Sequence, residues 1–263
     1  MVKNPTVCVL KSAGTNCELE TKTAFEYAGA KAEIVLTQEI YNKGKNLQKY
    51  HILVFPGGFS YGDDIAAGKV WATEIKNFFI HQTEEFIKQG KLILGICNGF
   101  QVLVKLGLLP AFEGKIEQTV SLVYNDSARY EDRWVYLKQC PSRSVFVRDT
   151  EELLYIPVAH TEGKFITKNK TILKNLFKNK QIVFQYVDEN GMLSGYPANP
   201  NGSEQNIAGI CDSTGRVLGL MPHPERAVFR TQYPNWRREK IKQSNMGLTI
   251  IKNAVFYVRT TIL

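Results

Sequence analysis

Short apolar runs recur along the first half of the chain, at residues 7–10, 32–36, 51–55 and 91–96. They are too short for helices and rich in Val, Ile and Leu, which predicts strands buried on both faces. Between the first two, Thr15-x-x-Glu18 has the form of a capping box and opens an amphipathic stretch that stops near Gly29. Residues 72–88 carry apolar positions at helical spacing and end at Gly90; residues 98–106 read as a further helix, closed by Gly107 and Pro110. The order strand, helix, strand, strand, helix, strand, helix predicts an α/β fold with a mostly parallel sheet covered on both faces. The second half is richer in strand patterns, at 116–124, 133–137, 144–147, 153–158, 182–187, 206–211 and 217–221. Asp212-Ser213-Thr214-Gly215 has the composition of a hairpin turn, and a last helix is expected over 245–258. No repeat, low-complexity tract or clear linker interrupts this order, so residues 1–263 are expected to form one domain.

Composition narrows the class. The chain has 263 residues, 44% hydrophobic and 22% charged, enough to bury a sizeable core. No apolar run approaches the roughly 20 residues that cross a bilayer, and residues 1–5 lead into a strand without a leader-like apolar region. The expectation is a cytoplasmic protein with no membrane contact. Cys8, Cys17, Cys97, Cys140 and Cys211 are odd in number, widely spaced and form no C-x-x-C, which argues against a disulfide framework or a zinc site. Cys8 lies in an apolar run and reads as core. The net charge of +8 concentrates in 164–180 (Lys168, Lys170, Lys174, Lys178) and in 237–242. Neither segment interleaves aromatics as nucleic-acid modules do, so a solvated basic face is favoured over a nucleic-acid surface, with an acidic protein partner as the alternative.

The candidate chemistry sits where the runs end, since ligands of open α/β sheets bind outside the carboxyl ends of the strands. The run at 91–96 ends in Cys97 and a helix starts at once, the form of a nucleophile elbow. Unpaired N–H groups and the helix dipole favour a thiolate there. A base is needed, and of His51, His81, His160 and His223 the first two read as structural. His223 follows a strand in Pro222-His223-Pro224-Glu225. The prolines keep the segment extended, so His223 and Glu225 face one way, and Glu225 can orient the ring. Alone, this could be a proline-rich turn; with an upstream cysteine elbow it reads as base and anchor. Acyl transfer also needs oxyanion donors. The N–H of Asn98 follows the nucleophile, and Gly57-Gly58 at another strand end can present a second, although a Gly pair alone also fits a tight turn.

Gly95-x-Cys97-x-Gly99-x-Gln101, Pro56-Gly57-Gly58 and His223-x-Glu225, in this order and spacing, resemble the class I (triad-type) glutamine amidotransferases. Gly14-Thr15-Asn16-Cys17-Glu18, Phe59-Ser60-Tyr61-Gly62-Asp63 and Asn199-Pro200-Asn201-Gly202-Ser203 narrow the resemblance to the purine-biosynthetic branch, over about residues 7–228. The resemblance implies a flavodoxin-like three-layer sandwich and hydrolysis of L-glutamine to glutamate and ammonia. It implies that Cys97 forms a γ-glutamyl thioester, His223 shuttles protons and Glu225 holds His223. Gly58 and Asn98 would then form the oxyanion hole and Gln101 would contact substrate. His160 would line the glutamine pocket or serve structure. The ammonia would pass to a synthetase subunit that converts formylglycinamide ribonucleotide to formylglycinamidine ribonucleotide, often with a small third subunit. No G-x-x-x-x-G-K-[ST] loop is present, so ATP and magnesium are expected on the synthetase and no cofactor or metal in this chain. Ser12-Ala13, Thr161 and residues 229–242 depart from the family pattern. Another cysteine hydrolase of this fold would take its histidine from directly after the cysteine, where this chain has Asn98. A retired, non-catalytic scaffold would have lost Cys97 or His223.

Overall fold

A computed structural model describes residues 4–148, 150–238 and 246–263. In chain order the elements are β1 (Thr6–Lys11), α1 (Glu18–Tyr27), β2 (Lys31–Leu36), α2 (Thr37–Asn42), β3 (Ile52–Phe55), α3 (Lys69–Phe78), α4 (Ile80–Lys88), β4 (Leu92–Ile96) and α5 (Asn98–Lys105). They continue with β5 (Val120–Val123), β6 (Glu131–Gln139), β7 (Leu153–His160), β8 (Lys164–Thr167), α6 (Lys170–Lys178), β9 (Ile182–Val187), β10 (Ile207–Cys211), β11 (Val217–Leu220) and α7 (Met246–Tyr257).

One sheet has the order β2-β1-β3-β4-β11-β10-β9-β6-β7. The pairs from β2 to β11 are parallel and those from β11 to β7 antiparallel. Two successive reversals return β9 and β7 to the direction of β4, so only β10 and β6 oppose it. The carboxyl ends of β3, β4, β11 and β7 therefore share one edge. From β1 the chain steps outward to β2 through α1, and from β3 it steps the other way to β4 through α3 and α4. Right-handed crossovers put these helices on opposite faces, giving three layers. The direction changes between β1 and β3, the switch point at which such sheets bind ligands. The strands β3, β4, β10 and β11 are buried along their whole length, as their unbroken apolar runs require.

The expected elements are refined in several places. Residues 72–88 form two helices, because Phe79 leaves helical dihedrals (φ −150°, ψ 23°) as its ring enters the core. The break lets Trp71 and Ile75 of α3 and Phe86 of α4 bury independently. The Thr15–Glu18 capping box does not form: α1 starts at Glu18 without a side-chain cap, the Thr15 hydroxyl donates to Ser12 O (3.0 Å), and Glu18 pairs with Lys11 (2.5 Å). Thr15 is taken up instead by a bridge to Gly58. Residues 144–147 hold a 3-10 turn (Val145–Val147) in place of a strand, with Asn253 of α7 donating to Phe146 O at 3.0 Å. The pattern at 116–124 yields strand only over Val120–Val123, paired with β8 in a separate ribbon. The hairpin turn is as expected, with Asp212 Oδ1 accepting from Arg216 N and Val217 N, each at 3.0 Å. The basic segment 164–180 becomes β8 and α6, whose Lys170, Lys174 and Lys178 are exposed. Of the segment 237–242 only Arg237 and Arg238 are among the described residues, and residue 245 of the expected last helix also lies outside them. No helix among the described residues is long and apolar enough to cross a membrane.

Candidate active site

Cys97 joins β4 to α5 with φ 51° and ψ −106°, a backbone region that residues with a side chain rarely occupy. The bend is held from both sides. The Cys97 N–H donates to Leu220 O of β11 (2.8 Å), and its carbonyl accepts from Gln101 N of α5 (3.1 Å). The helix can start this close to the sheet only because residue 99 is glycine: a Cβ there would lie 1.9 Å from Phe55 O. The Cys97 thiol is buried, 3.5 Å from Ala159 O at the end of β7.

His223 reaches the same corner from the end of β11. Its N–H donates to Pro157 O of β7 at 2.8 Å, and its Nδ1 donates to Glu225 Oε1 at 2.7 Å. The segment does not stay extended past His223, because Pro224–Arg226 turns as a short 3-10 helix. The carboxylate meets the ring around that turn. Burial alone would press the imidazole pKa down. The Glu225 carboxylate and the sulfurs of Cys97 and Cys17 outweigh it and hold His223 well above the ordinary histidine range. Its Nε2 is buried and has no hydrogen-bond partner among the described residues. With Nδ1 committed to Glu225, Nε2 is the nitrogen left for the Cys97 thiol.

Two neighbours of this pair escaped the sequence reading. Cys17 Sγ lies 4.0 Å from His223 Nδ1, and Arg226 Nη2 donates to that sulfur at 3.2 Å while its Nε donates to Glu20 Oε1 at 2.7 Å. Burial pushes the Cys17 thiol up to about 11. The ligand atoms of Cys17, His223 and Glu225 lie within 4.8 Å of one another, the spacing of a metal donor set. The Arg226 cation on the sulfur and the Glu225 bond on Nδ1 already occupy these donors. The signal for Cys17 was its place in the Gly14–Glu18 segment, far from His223 in sequence.

The loop after β3 closes the corner. A Cβ on Gly57 would lie 2.6 Å from His223 Cε1, so this glycine makes room for the ring. The bridge from Gly58 to Thr15 is flanked by Phe59 N to Gly14 O (2.9 Å) and Asn16 N to Gly57 O (3.4 Å). In that arrangement the Gly58 N–H points away from the bridge. Asn98 is the first residue of α5, where a backbone N–H has no acceptor inside the helix. Its side chain is fully engaged: Oδ1 accepts from Ser60 N (3.2 Å), and Nδ2 donates to Asp63 Oδ1 (3.2 Å) and Gln101 Oε1 (2.9 Å).

Gln101 and His160 lie beside this corner with their polar atoms turned to protein groups. Gln101 Nε2 donates to Glu162 O at 2.7 Å. His160 Nδ1 donates to Asn125 Oδ1 (3.1 Å), and its Nε2 accepts from Asn201 Nδ2 (3.4 Å). Burial, with the nearby His223 charge, pushes His160 down to about 3, so its ring is neutral. His51 serves structure, its Nδ1 accepting from Thr6 N at 3.1 Å, and His81 lies exposed on α4.

Comparison with known proteins places the chain among glutamine amidotransferases. Residues 4–258 match the CobB/CobQ-like glutamine amidotransferase domain. The phosphoribosylformylglycinamidine synthase subunit PurQ of Methanococcus maripaludis is 44% identical, over 96% of this chain and 97% of its own. The PurQ subunit of Archaeoglobus fulgidus is 45% identical, over 96% of each chain. Among solved structures, PurLQS from Thermotoga maritima superposes with a TM-score of 0.74 at 29% identity, over 97% of this chain and 100% of that one.

Proposed function

This chain belongs to the CobB/CobQ-like glutamine amidotransferase family, and we propose that it is the glutaminase subunit of a phosphoribosylformylglycinamidine synthase. The observation that carries the mechanism is the buried His223–Glu225 pair, 2.7 Å apart, with its open Nε2 at the corner that holds Cys97. Cys97 Sγ attacks the side-chain amide carbon of L-glutamine and its proton passes to His223 Nε2. The carbonyl oxygen becomes an oxyanion, received by the N–H groups of Gly58 and Asn98. His223 gives the proton to the amide nitrogen, the C–N bond breaks, and ammonia leaves a γ-glutamyl thioester on Cys97. His223 then takes a proton from water, the hydroxide displaces the thiolate, and glutamate departs as the sulfur regains a proton. Glu225 stabilises the imidazolium formed in each half.

Gln101 and His160 bound the glutamine site from α5 and from the end of β7. The ammonia goes to a synthetase subunit that binds ATP, magnesium and formylglycinamide ribonucleotide. A small third subunit completes the assembly, in the cytoplasm. The test is Cys97→Ala in the complex with its synthetase. Glutamine-dependent formation of formylglycinamidine ribonucleotide should fall by about 10³-fold or more, while added ammonia still supports synthesis. Full glutamine-dependent activity in that variant removes Cys97 as the nucleophile.

A further inference from the structure

Behind the corner the side chains of Asp63, Asn98 and Gln101 form a polar knot, and Asp63 has no part in the steps above. Asp63 sits in the loop after β3, at φ 55°, four residues past the Gly58–Phe59 segment. Its Oδ1 accepts from Asn98 Nδ2 at 3.2 Å. The same Asn98 side chain accepts from Ser60 N at 3.2 Å and donates to Gln101 Oε1 at 2.9 Å. The three bonds fix the orientation of the amide, because reversing it would set its NH2 against the Ser60 N–H. One fully buried side chain thus joins the loop that follows Gly58 to the helix turn that begins with Asn98. These are the two segments whose N–H groups face the oxyanion. Glu162, from the turn after β7, adds a second tie by accepting from Ala67 N at 3.3 Å with each oxygen.

Resting on the amidotransferase reading above, we propose that Asp63 is a positioning residue for the oxyanion hole. It holds the Asn98 side chain, and through it sets the Asn98 N–H and the loop carrying Gly58 at one separation. The charge environment supports this role. Burial and the facing Glu162 carboxylate push Asp63 up to about 6, against the half-buried Lys105 ammonium of α5 and the N–H of Gly68. Asp63 is therefore ionised above that pH, accepts strongly from Asn98, and becomes neutral as the pH falls through it. Because bound glutamine carries no oxyanion and the charge develops only as attack proceeds, loosening its donors lowers kcat while leaving KM nearly unchanged.

The experiment uses the assembled complex with Asp63→Ala and Asp63→Asn. The alanine variant should lose about 10-fold in glutamine-dependent kcat, a fraction of what deleting an oxyanion donor costs. Its KM for glutamine should stay near the wild-type value and its ammonia-dependent synthesis should be unchanged. The asparagine variant keeps an acceptor without the charge, so its loss should be intermediate, and its kcat profile should lack the bend near pH 6 that the wild type shows. A wild-type kcat in Asp63→Ala, a loss confined to KM, a parallel loss of ammonia-dependent synthesis, or the same bend in both profiles overturns the proposal. A wild-type complex that makes no product from glutamine would sink the amidotransferase reading itself, and that shows without any Asp63 variant.

Discussion

Two buried histidines, one ending β7 and one just past β11, lie at the same edge of the sheet, yet their surroundings drive them in opposite directions. His223 faces a carboxylate, Glu225, which with the Cys97 and Cys17 sulfurs outweighs burial and holds it well above the usual histidine pKa; His160 faces two amides, Asn125 and Asn201, so burial and the nearby His223 charge go unopposed and push it down to about 3. Each is 2% exposed, so burial does not separate them. The partners do. A carboxylate only accepts, and it lowers the energy of a ring that has gained a proton. The Asn201 amide donates to His160 Nε2, which can accept only while it carries none. The first environment favours a ring that gains a proton, as the proposed mechanism needs, and the second favours one that stays neutral.

The largest test of this contrast is Glu225→Gln. Losing the carboxylate should drop the His223 pKa and cut glutamine-dependent kcat by about 10²-fold or more, as an amide in the orienting position of a triad does. Titrating His223 by NMR alongside kinetics checks both halves, and an unchanged pKa with normal kcat would place the source of the shift elsewhere.

His160→Gln should act on stability first. It removes a neutral ring bonded on both sides and should cost about 2 kcal/mol. Its pH signature is specific. The folded pKa is near 3 and the unfolded near 6.5, so between these values only the unfolded chain binds the proton. Stability is therefore lost as the pH falls through that window, at up to about 1.4 kcal/mol per pH unit. Urea melts at pH 7.5 and 5 should show a shallower acid loss in His160→Gln than in wild type. An equal loss would show that His160 is not neutral in the fold, and a raised KM for glutamine would mark direct substrate contact.

The smallest effect is expected far from both histidines. Asn169 caps α6, its side chain accepting from Thr171 N and Ile172 N, each at 3.0 Å. Asn169→Ala should cost about 1 kcal/mol in a denaturant melt and leave kcat unchanged, since the helix carries none of the site. A change in kcat would show that this surface communicates with the corner.

How much of this was legible in the chain follows from range. The Cys97 elbow, the Pro56-Gly57-Gly58 strand end and the His223–Glu225 pair each depend on residues one to four apart, and all three lie where apolar runs stop. The elements that went unread are those whose pattern is weak alone. The helix α2 has six residues, α6 buries fully only Leu176, and the strand β8 is defined by pairing with β5. Thr15-x-x-Glu18 has the right letters for a cap, but its threonine is drawn to Gly58 across the switch point, a contact no local pattern contains.

The sequence by itself determined the four parallel strands of the first half and the strand-to-helix bend at Cys97, because these follow from short-range periodicity and from backbone rules for Gly and Pro. Only the tertiary structure decided what faces what. It put Cys17 against His223 and Arg226 against the Cys17 sulfur, placed Asp63 on Asn98, and gave His160 amides where His223 has a carboxylate. Those choices depend on the return of β7 and β11 to one edge and on low-dielectric burial there, which turns a neighbour some 200 residues away along the chain (Cys17 and His223) into a close electrostatic contact.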